Sequence, residues 1–286
     1  MPSFLAQATQ HVPLLDGQVD RDKTVPPLVD GDFITFQGSL NPTGKVIAIK
    51  RPRFLSRDDK EMELVLHGII IWSLLHHENI NPLVGVATFD NGLSTVTELM
   101  VRGDANSYVQ DPQVDPRPLL LGIAHGLRYL HHGHALGPIY HGDMRGRNVL
   151  VAPDGRALLT GFHYSFISNP PLDMTLTSTV VGALRWMAPE GIDGGRATAE
   201  RDVWAFAMTT LELFTRKVPF PHIGSESGLI IRILSGKPDY PTGMSDMWQN
   251  LCTSCWELDP GLRPDMMTIV SRIEEVCVLT VDCICG

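Results

Sequence analysis

The chain has 286 residues and a formal net charge of -9, from 23 Lys+Arg against 32 Asp+Glu. A hydrophobic fraction of 43% and a charged fraction of 19% are ordinary for a globular protein with a sizeable core. The acidic balance argues against nucleic acid or an anionic membrane as the main partner, and no apolar run is long enough to span a bilayer.

Residues 1–24 are polar, lack helical period and read as a flexible N-terminal arm. Met1 to Leu15 has no basic region followed by an apolar core, so it does not read as a secretory signal. From Val25 to Met100 the text is β-rich. Val46-Ile47-Ala48-Ile49-Lys50 is a compact β-branched strand, and Asp90-Asn91-Gly92 between Val84–Ala87 and Ser94–Thr97 is a hairpin signal. One helix is expected between them, Asp58 to Leu75, with two aspartates favouring its N-terminus.

After Gly103 the pattern turns helical. Leu119, Leu120, Ile123, Leu127 and Leu130 recur at helical spacing. Val149–Val151, Pro153-Asp154-Gly155 and Ala157–Leu159 read as a second hairpin. Val203 to Phe214 is almost wholly apolar and is expected to be a helix buried all round. Helices over Leu229–Leu234 and Met247–Trp256 follow, and a last one after Arg263-Pro264 through Val276. Five cysteines, three of them in the last ten residues, form no disulfide framework. Cys252 and Cys255 have the spacing of half a zinc site without a second half, and read as buried thiols in a reducing compartment. His131, His132 and His134 read as polar surface rather than a metal site.

Several motifs stand in a fixed order. Ala48-Ile49-Lys50 is followed by His141-Gly142-Asp143-Met144-Arg145-Gly146-Arg147-Asn148, then Gly161-Phe162-His163, Ala188-Pro189-Glu190, Asp202-Val203-Trp204-Ala205-Phe206 and Arg263. Over Val25 to Val276 the chain thereby resembles the protein-kinase family. Arg185-Trp186-Met187 and Cys255-Trp256 resemble its tyrosine-kinase-like branch. The resemblance implies an α+β, two-lobed fold. The flexible arm (1–24) would precede a kinase-like domain (25–278), with a β-rich N-lobe (25–99) and a helical C-lobe (103–278), before a tail (279–286).

The resemblance also assigns roles. Lys50 would reach the nucleotide phosphates. Ala48 and Leu150 would sandwich the adenine, Thr97 would stand at the gatekeeper position, and Glu98 to Met100 would form the hinge. Asp143 would accept the proton of a substrate hydroxyl, Arg145 would sit beside it, and Asn148 would hold a magnesium ion. Asp202, Glu190 and Arg263 would stabilise the helical lobe, with Asp202 buried against the catalytic-loop backbone and Asp143 partly exposed.

The departures from the family pattern are concentrated at phosphate and metal. Gly161 stands where an aspartate bridges magnesium, and glycine has no carboxylate for a hard cation. The position of the helix glutamate that holds the lysine falls on Gly68, with Glu61 and Glu63 the nearest acids. The three glycine positions of the phosphate-covering loop fall on Leu28, Asp30 and Phe33, so a plain β-hairpin is expected there, with Asp30 and Asp32 facing the phosphates. Gly142 replaces the arginine that would receive a phosphate on Thr175, Thr177, Ser178 or Thr179. Asp173 is the next acid after Gly161. The expectation is a pseudokinase that binds ATP and magnesium weakly and works in the cytoplasm through a protein partner, an active kinase being one candidate. The alternative is an ATP-dependent protein kinase with atypical metal use. Restored activity is expected to need Gly161→Asp and Gly68→Glu together.

Overall fold

The fold is described from a computed structural model. It covers residues 12–30, 33–53, 59–89, 92–135, 137–168, 181–192, 194, 196–236, 238 and 244–282, with side chains left out at 59–64, 181–183 and 276–282. The expected roles of Asp32, Asp173 and the four hydroxyl residues 175 and 177–179 fall outside these residues, as do those of the Glu61 and Glu63 side chains. The chain divides into two compact units. The smaller holds residues up to His76, Ile80–Val101 and Phe162–Tyr164. The larger holds His77–Asn79, Arg102–Gly161 and Ser165 onward. A β-rich smaller unit and a mostly helical larger unit are the α+β division that the resemblance implied.

In the smaller unit, strands β1 (Val19–Arg21), β2 (Leu28–Asp30), β3 (Phe33–Leu40), β4 (Lys45–Pro52), β5 (Leu83–Phe89) and β6 (Gly92–Glu98) form one antiparallel sheet. Its order is β1-β3-β4-β6-β5, with β2 also on β3. Strand period sorts the faces. Ile47 and Ile49 of β4 are fully buried with Leu15, Phe36, Ala87 and Val96, and Ala48 and Lys50 point to the opposite face. Helix α1 (Asp59–Ser73) buries Val65, Leu66 and Ile69 against Val86 and Leu93.

Residues 12–24 are not a loose arm. Leu15 N–H donates to Val86 O at 2.8 Å and Val86 N–H to Pro13 O at 2.9 Å, so the segment caps the edge of β5. Val12 joins the core under α1 and Leu15 the core under the sheet. A polar composition hid this, because only two of these side chains carry the burial.

In the larger unit, helices α2 (Ala105–Tyr108) and α3 (Arg117–His132) come first. Short strands β7 (Ile139–Tyr140), β8 (Val149–Val151), β9 (Ala157–Leu159) and β10 (Phe166–Ile167) pair as β7 with β10 and β8 with β9. The second hairpin is therefore as expected. Helix α4 (Ala199–Thr215) is capped by Thr198, whose side chain accepts from Arg201 N–H, and carries Glu200 and Asp202 in its first turn. Every residue from Asp202 to Leu213 is buried, in line with its nearly unbroken apolar text. Helices α5 (Glu226–Leu234), α6 (Asp246–Cys255) and α7 (Met266–Asp282) complete the unit, the last running beyond the expected Val276. Cys252 and Cys255 are buried, free thiols on α6. Burial pushes the Cys255 thiol up to about 12. No helix among the described residues is long and apolar enough to cross a membrane.

Candidate functional site

The larger unit carries the residues that the resemblance assigned to proton transfer and metal. The segment after β7 carries His141 to Asn148, and helix α4 fixes it from below. Asp202 Oδ2 accepts the His141 N–H at 2.7 Å and Oδ1 the Gly142 N–H at 2.9 Å. The Nε2 of His131 lies 3.0 Å from Asp202 Oδ2. His131 is therefore not polar surface but a buried partner at the end of α3. Burial pushes the Asp202 carboxyl up, yet the hydrogen bond and charge of His131, the charge of His141 and the Gly142 N–H together hold it below its ordinary value. Gly142 has φ 78°, a left-handed conformation that glycine adopts without strain.

A second buried acid on α4, Glu212, escaped the sequence reading. Its Oε2 accepts Gly146 N–H at 2.9 Å and Trp186 Nε1–H at 2.8 Å, and its Oε1 accepts from Asn106 at 2.7 Å. Burial raises its pKa despite these donors. The available signal was an acid in an otherwise apolar helix, one turn of which must face a polar loop. Asp202 and Glu212 thus tie both ends of the catalytic segment to one rigid helix.

Asp143, Arg145 and Asn148 come together as the resemblance implied. Asn148 Nδ2 donates to Asp143 Oδ2 and to its backbone carbonyl, both at 2.7 Å. Arg145 Nε lies 3.3 Å from Asp143 Oδ1. That pair attracts by charge but lacks hydrogen-bond alignment, and among the described residues Oδ1 has no hydrogen-bond donor. Asp143 is only 6% exposed, which corrects the expectation of a partly open acid. Leu150 is half-buried on β8, and Arg147 is exposed. A small pocket lined by Gly142, Asp143, Trp186, Met187 and Arg201 adjoins the acid within this unit.

Gly161 closes the metal side. Its φ is 84°, and a Cβ built there would lie 2.6 Å from Asn148 Oδ1. The space of an aspartate side chain is thus taken by the Asn148 amide. Magnesium asks for near-octahedral oxygen coordination. The oxygen donors at hand are Asn148 Oδ1, in an amide whose nitrogen is held by Asp143, and one carboxylate beside an arginine. Among the described residues no group of three or more His, Cys, Asp or Glu side chains is arranged to hold a metal ion. This donor set does not fit a phosphate-bridging divalent cation.

The smaller unit carries all but Leu150 of the residues that the resemblance assigned to the nucleotide. Ala48 and Thr97 are register partners on β4 and β6. Thr97 is buried, Glu98 is exposed in an ion pair with Lys45 at 2.7 Å, and Met100 is half-buried just after β6. Strands β2 and β3 form the plain hairpin that the absent glycines implied, with Asp30 opposite Phe33. Lys50 pairs with Thr35 across the β3–β4 ladder, and its Nζ stands 4.7 Å from the Phe33 ring centroid.

The Phe162–Tyr164 turn packs on α1. Phe162 and Trp72 have ring centroids 5.4 Å apart. A Cβ at Gly68 would overlap the Phe162 carbonyl oxygen and stand 2.8 Å from His163 Cα. Position 68 is therefore a seat for the turn and has no room for a glutamate in this arrangement. This corrects the expectation that Gly68→Glu would supply an ion pair. His163 is buried beside Phe33, centroids 4.5 Å apart. Burial first, and then the charge of Lys50, push its pKa well below the usual histidine value.

Two ion-pair elements of the larger unit match their assigned roles. Arg263 donates from Nη1 and Nη2 to the two oxygens of Glu190 at 2.6 and 2.8 Å. It also holds the Glu200 and Glu257 carbonyls, at 2.9 Å each.

The family described as protein tyrosine and serine/threonine kinase matches residues 31–273. The chain is 32% identical over 241 residues to a probable serine/threonine-protein kinase drkC of Dictyostelium discoideum, covering 81% of the chain and 32% of that protein. It is 28% identical over 214 residues to an RGS domain-containing serine/threonine-protein kinase A of the same organism, covering 73% and 18%. It is 27% identical over 238 residues to the cytokinesis protein sepH of Aspergillus niger, covering 82% and 17%. The chain thus spans a third or less of the length of these relatives.

Proposed function

The chain belongs to the protein kinase family, and on that premise we propose that it is a pseudokinase of the tyrosine-kinase-like branch. In this reading it transfers no phosphate, and binds another protein through a kept kinase scaffold. An active kinase is the partner of choice, because a kinase fold that has lost its metal site can still dock on a catalytic one. The cytoplasm is the compartment proposed, with the free thiols of Cys252 and Cys255 as support.

The observation that carries the reading is Gly161 against Asn148. Phosphoryl transfer depends on metal ions that bridge the phosphates and neutralise developing charge. Here the bridging carboxylate is missing, the backbone is left-handed, and the amide of the second metal residue fills the space. Asp143 Oδ2 is in turn held by Asn148, and the residue is only 6% exposed. Asp202, Glu212, Glu190 and Arg263 keep their structural bonds, so the losses spare the scaffold.

The competing reading is an ATP-dependent kinase with atypical metal use, and Asp143 beside Asn148 is what favours it. Phosphate transfer to a generic protein substrate, with magnesium and with manganese, separates the two. No transfer is expected from the purified chain. Turnover by wild type that Asp143→Ala abolishes would overturn the pseudokinase reading.

A further inference from the structure

Phe33 stands at a position where the resemblance to active kinases calls for glycine, and the sheet register explains where its ring goes. Phe33 and Thr35 are two apart on β3, so their side chains leave the same face. Thr35 is the cross-strand partner of Lys50. Phe33 is therefore the diagonal neighbour of Lys50 on that face, within reach of an aromatic side chain. The hairpin adds a second constraint, since Phe33 faces Asp30 at the turn end of the ladder. The ring folds inward and is only 7% exposed. Lys50 Nζ lies over it at 4.7 Å, a cation–π contact.

The ring also has a floor. His163 lies against it at 4.5 Å and Tyr164 meets it edge-on at 6.3 Å. That floor is held by the close backbone seat of the turn on Gly68 and by Phe162 against Trp72. Both observations lie wholly within the smaller unit and are independent of the metal side.

We propose that Phe33 is a resident occupant of the place on Lys50 that polyphosphate would take, and so the residue that sets this unit against nucleoside di- and triphosphates. A phosphate oxygen reaching the ammonium must displace an aromatic face that is packed from behind. An uncharged nucleoside makes no such demand. The inference rests on the reading of Lys50 as the phosphate lysine, and it extends the pseudokinase proposal from the lost metal to an occluded anion site.

The test uses magnesium-free inorganic triphosphate and adenosine as separate probes, on the full chain, by calorimetry at low ionic strength. Phe33→Ala should bind triphosphate about tenfold or more tighter than wild type, the factor expected from one recovered charge-assisted contact. The gain should vanish in Phe33→Ala with Lys50→Met, and adenosine binding should be the same in all three. A folded Phe33→Ala with no gain, or a gain that survives loss of Lys50, overturns the proposal. Should Phe33→Ala fail to fold, wild type alone decides. Acylation of Lys50 by an amine-reactive reagent should be unaffected by triphosphate, and protection by triphosphate would overturn the proposal. Phosphate transfer by wild type would sink the pseudokinase reading but leave this binding result interpretable.

Discussion

Asp202 Oδ2 accepts the backbone N–H of His141 at 2.7 Å, so one side chain of the most buried helix fixes where the catalytic segment begins. Replacing it strands the His141 and Gly142 N–H groups and the His131 ring at once. Each buried donor left without a partner costs about 1–3 kcal/mol. Asp202→Ala should therefore lose about 3–5 kcal/mol in urea melts. Asp143→Ala loses one Asn148 bond and also removes an oxygen that has no hydrogen-bond donor among the described residues, so it should lose about 1–2 kcal/mol. The reverse order would reject the roles given to the two acids.

Arg263 makes four donor contacts, two to Glu190 and two to backbone carbonyls, and its guanidinium lies 5.1 Å from the Trp204 ring centroid. A lysine has the charge but not the planar fork. Arg263→Lys should cost about 1–3 kcal/mol, since the fork that serves Glu190 and two carbonyls from a buried site is lost. An unchanged urea midpoint would mean that charge alone holds the Ala188-Pro189-Glu190 corner.

His163 gives the fold an acid limit. Its folded pKa is depressed well below 6.5 by burial and by Lys50. Above pH 6.5 the folded and unfolded imidazoles are both neutral, so the group contributes nothing to the pH dependence. Below pH 6.5 the unfolded chain takes up a proton that the folded chain refuses, and stability falls. The slope for one such proton is about 1.4 kcal/mol per pH unit. The charged group that acts on His163 is Lys50. Urea melts at pH 7 and pH 5 should converge in His163→Phe relative to wild type. An equal acid loss in the two proteins would exclude His163 as the source.

The capping segment before β1 is the fourth target. Val12 and Leu15 are buried in two different cores of the smaller unit, and each buried aliphatic side chain contributes about 1.5–3 kcal/mol. A chain beginning at Val19 should lose about 3–6 kcal/mol and show a lower melting temperature. Unchanged melting would return the segment to the status of a loose arm.

The sequence made the fold legible through period and order. The β-branched run ending at Lys50, the apolar text of α4 and the hairpin around Asp154-Gly155 all became the elements expected of them. Asp143, Arg145 and Asn148 were legible because their spacing is local. What escaped was set by contacts between residues far apart in the chain. Glu212 meets Gly146 across 66 positions, His131 meets Asp202 across 71, and neither pairing leaves a local mark. The inward turn of Phe33 needed the β3–β4 register. Gly68 read as a missing acid, because only the packed turn shows what a side chain there would strike.

That turn gives the last prediction. In an exposed helix, glycine to alanine gains about 1 kcal/mol. At Gly68 the new Cβ would overlap the Phe162 carbonyl and approach His163 Cα to 2.8 Å. Both obstacles are backbone, which cannot rotate aside, and overpacking of this kind costs about 1–3 kcal/mol or more. The loss should outweigh the gain, so Gly68→Ala should destabilise the chain and Gly68→Glu should do so further. Gly161→Asp meets a different barrier. A side chain at φ 84° is strained by about 1–2 kcal/mol, and its Cβ would stand 2.6 Å from Asn148 Oδ1. Gly161 is bonded to Phe162, whose carbonyl a side chain at position 68 would strike, so the two costs share one stretch of backbone and should not simply add. Urea melts of wild type, both single variants and the double variant check this. A Gly68→Ala chain more stable than wild type would show that the turn is not seated on the helix. A double variant that regains stability and transfers phosphate would show that the family's acids can be restored here.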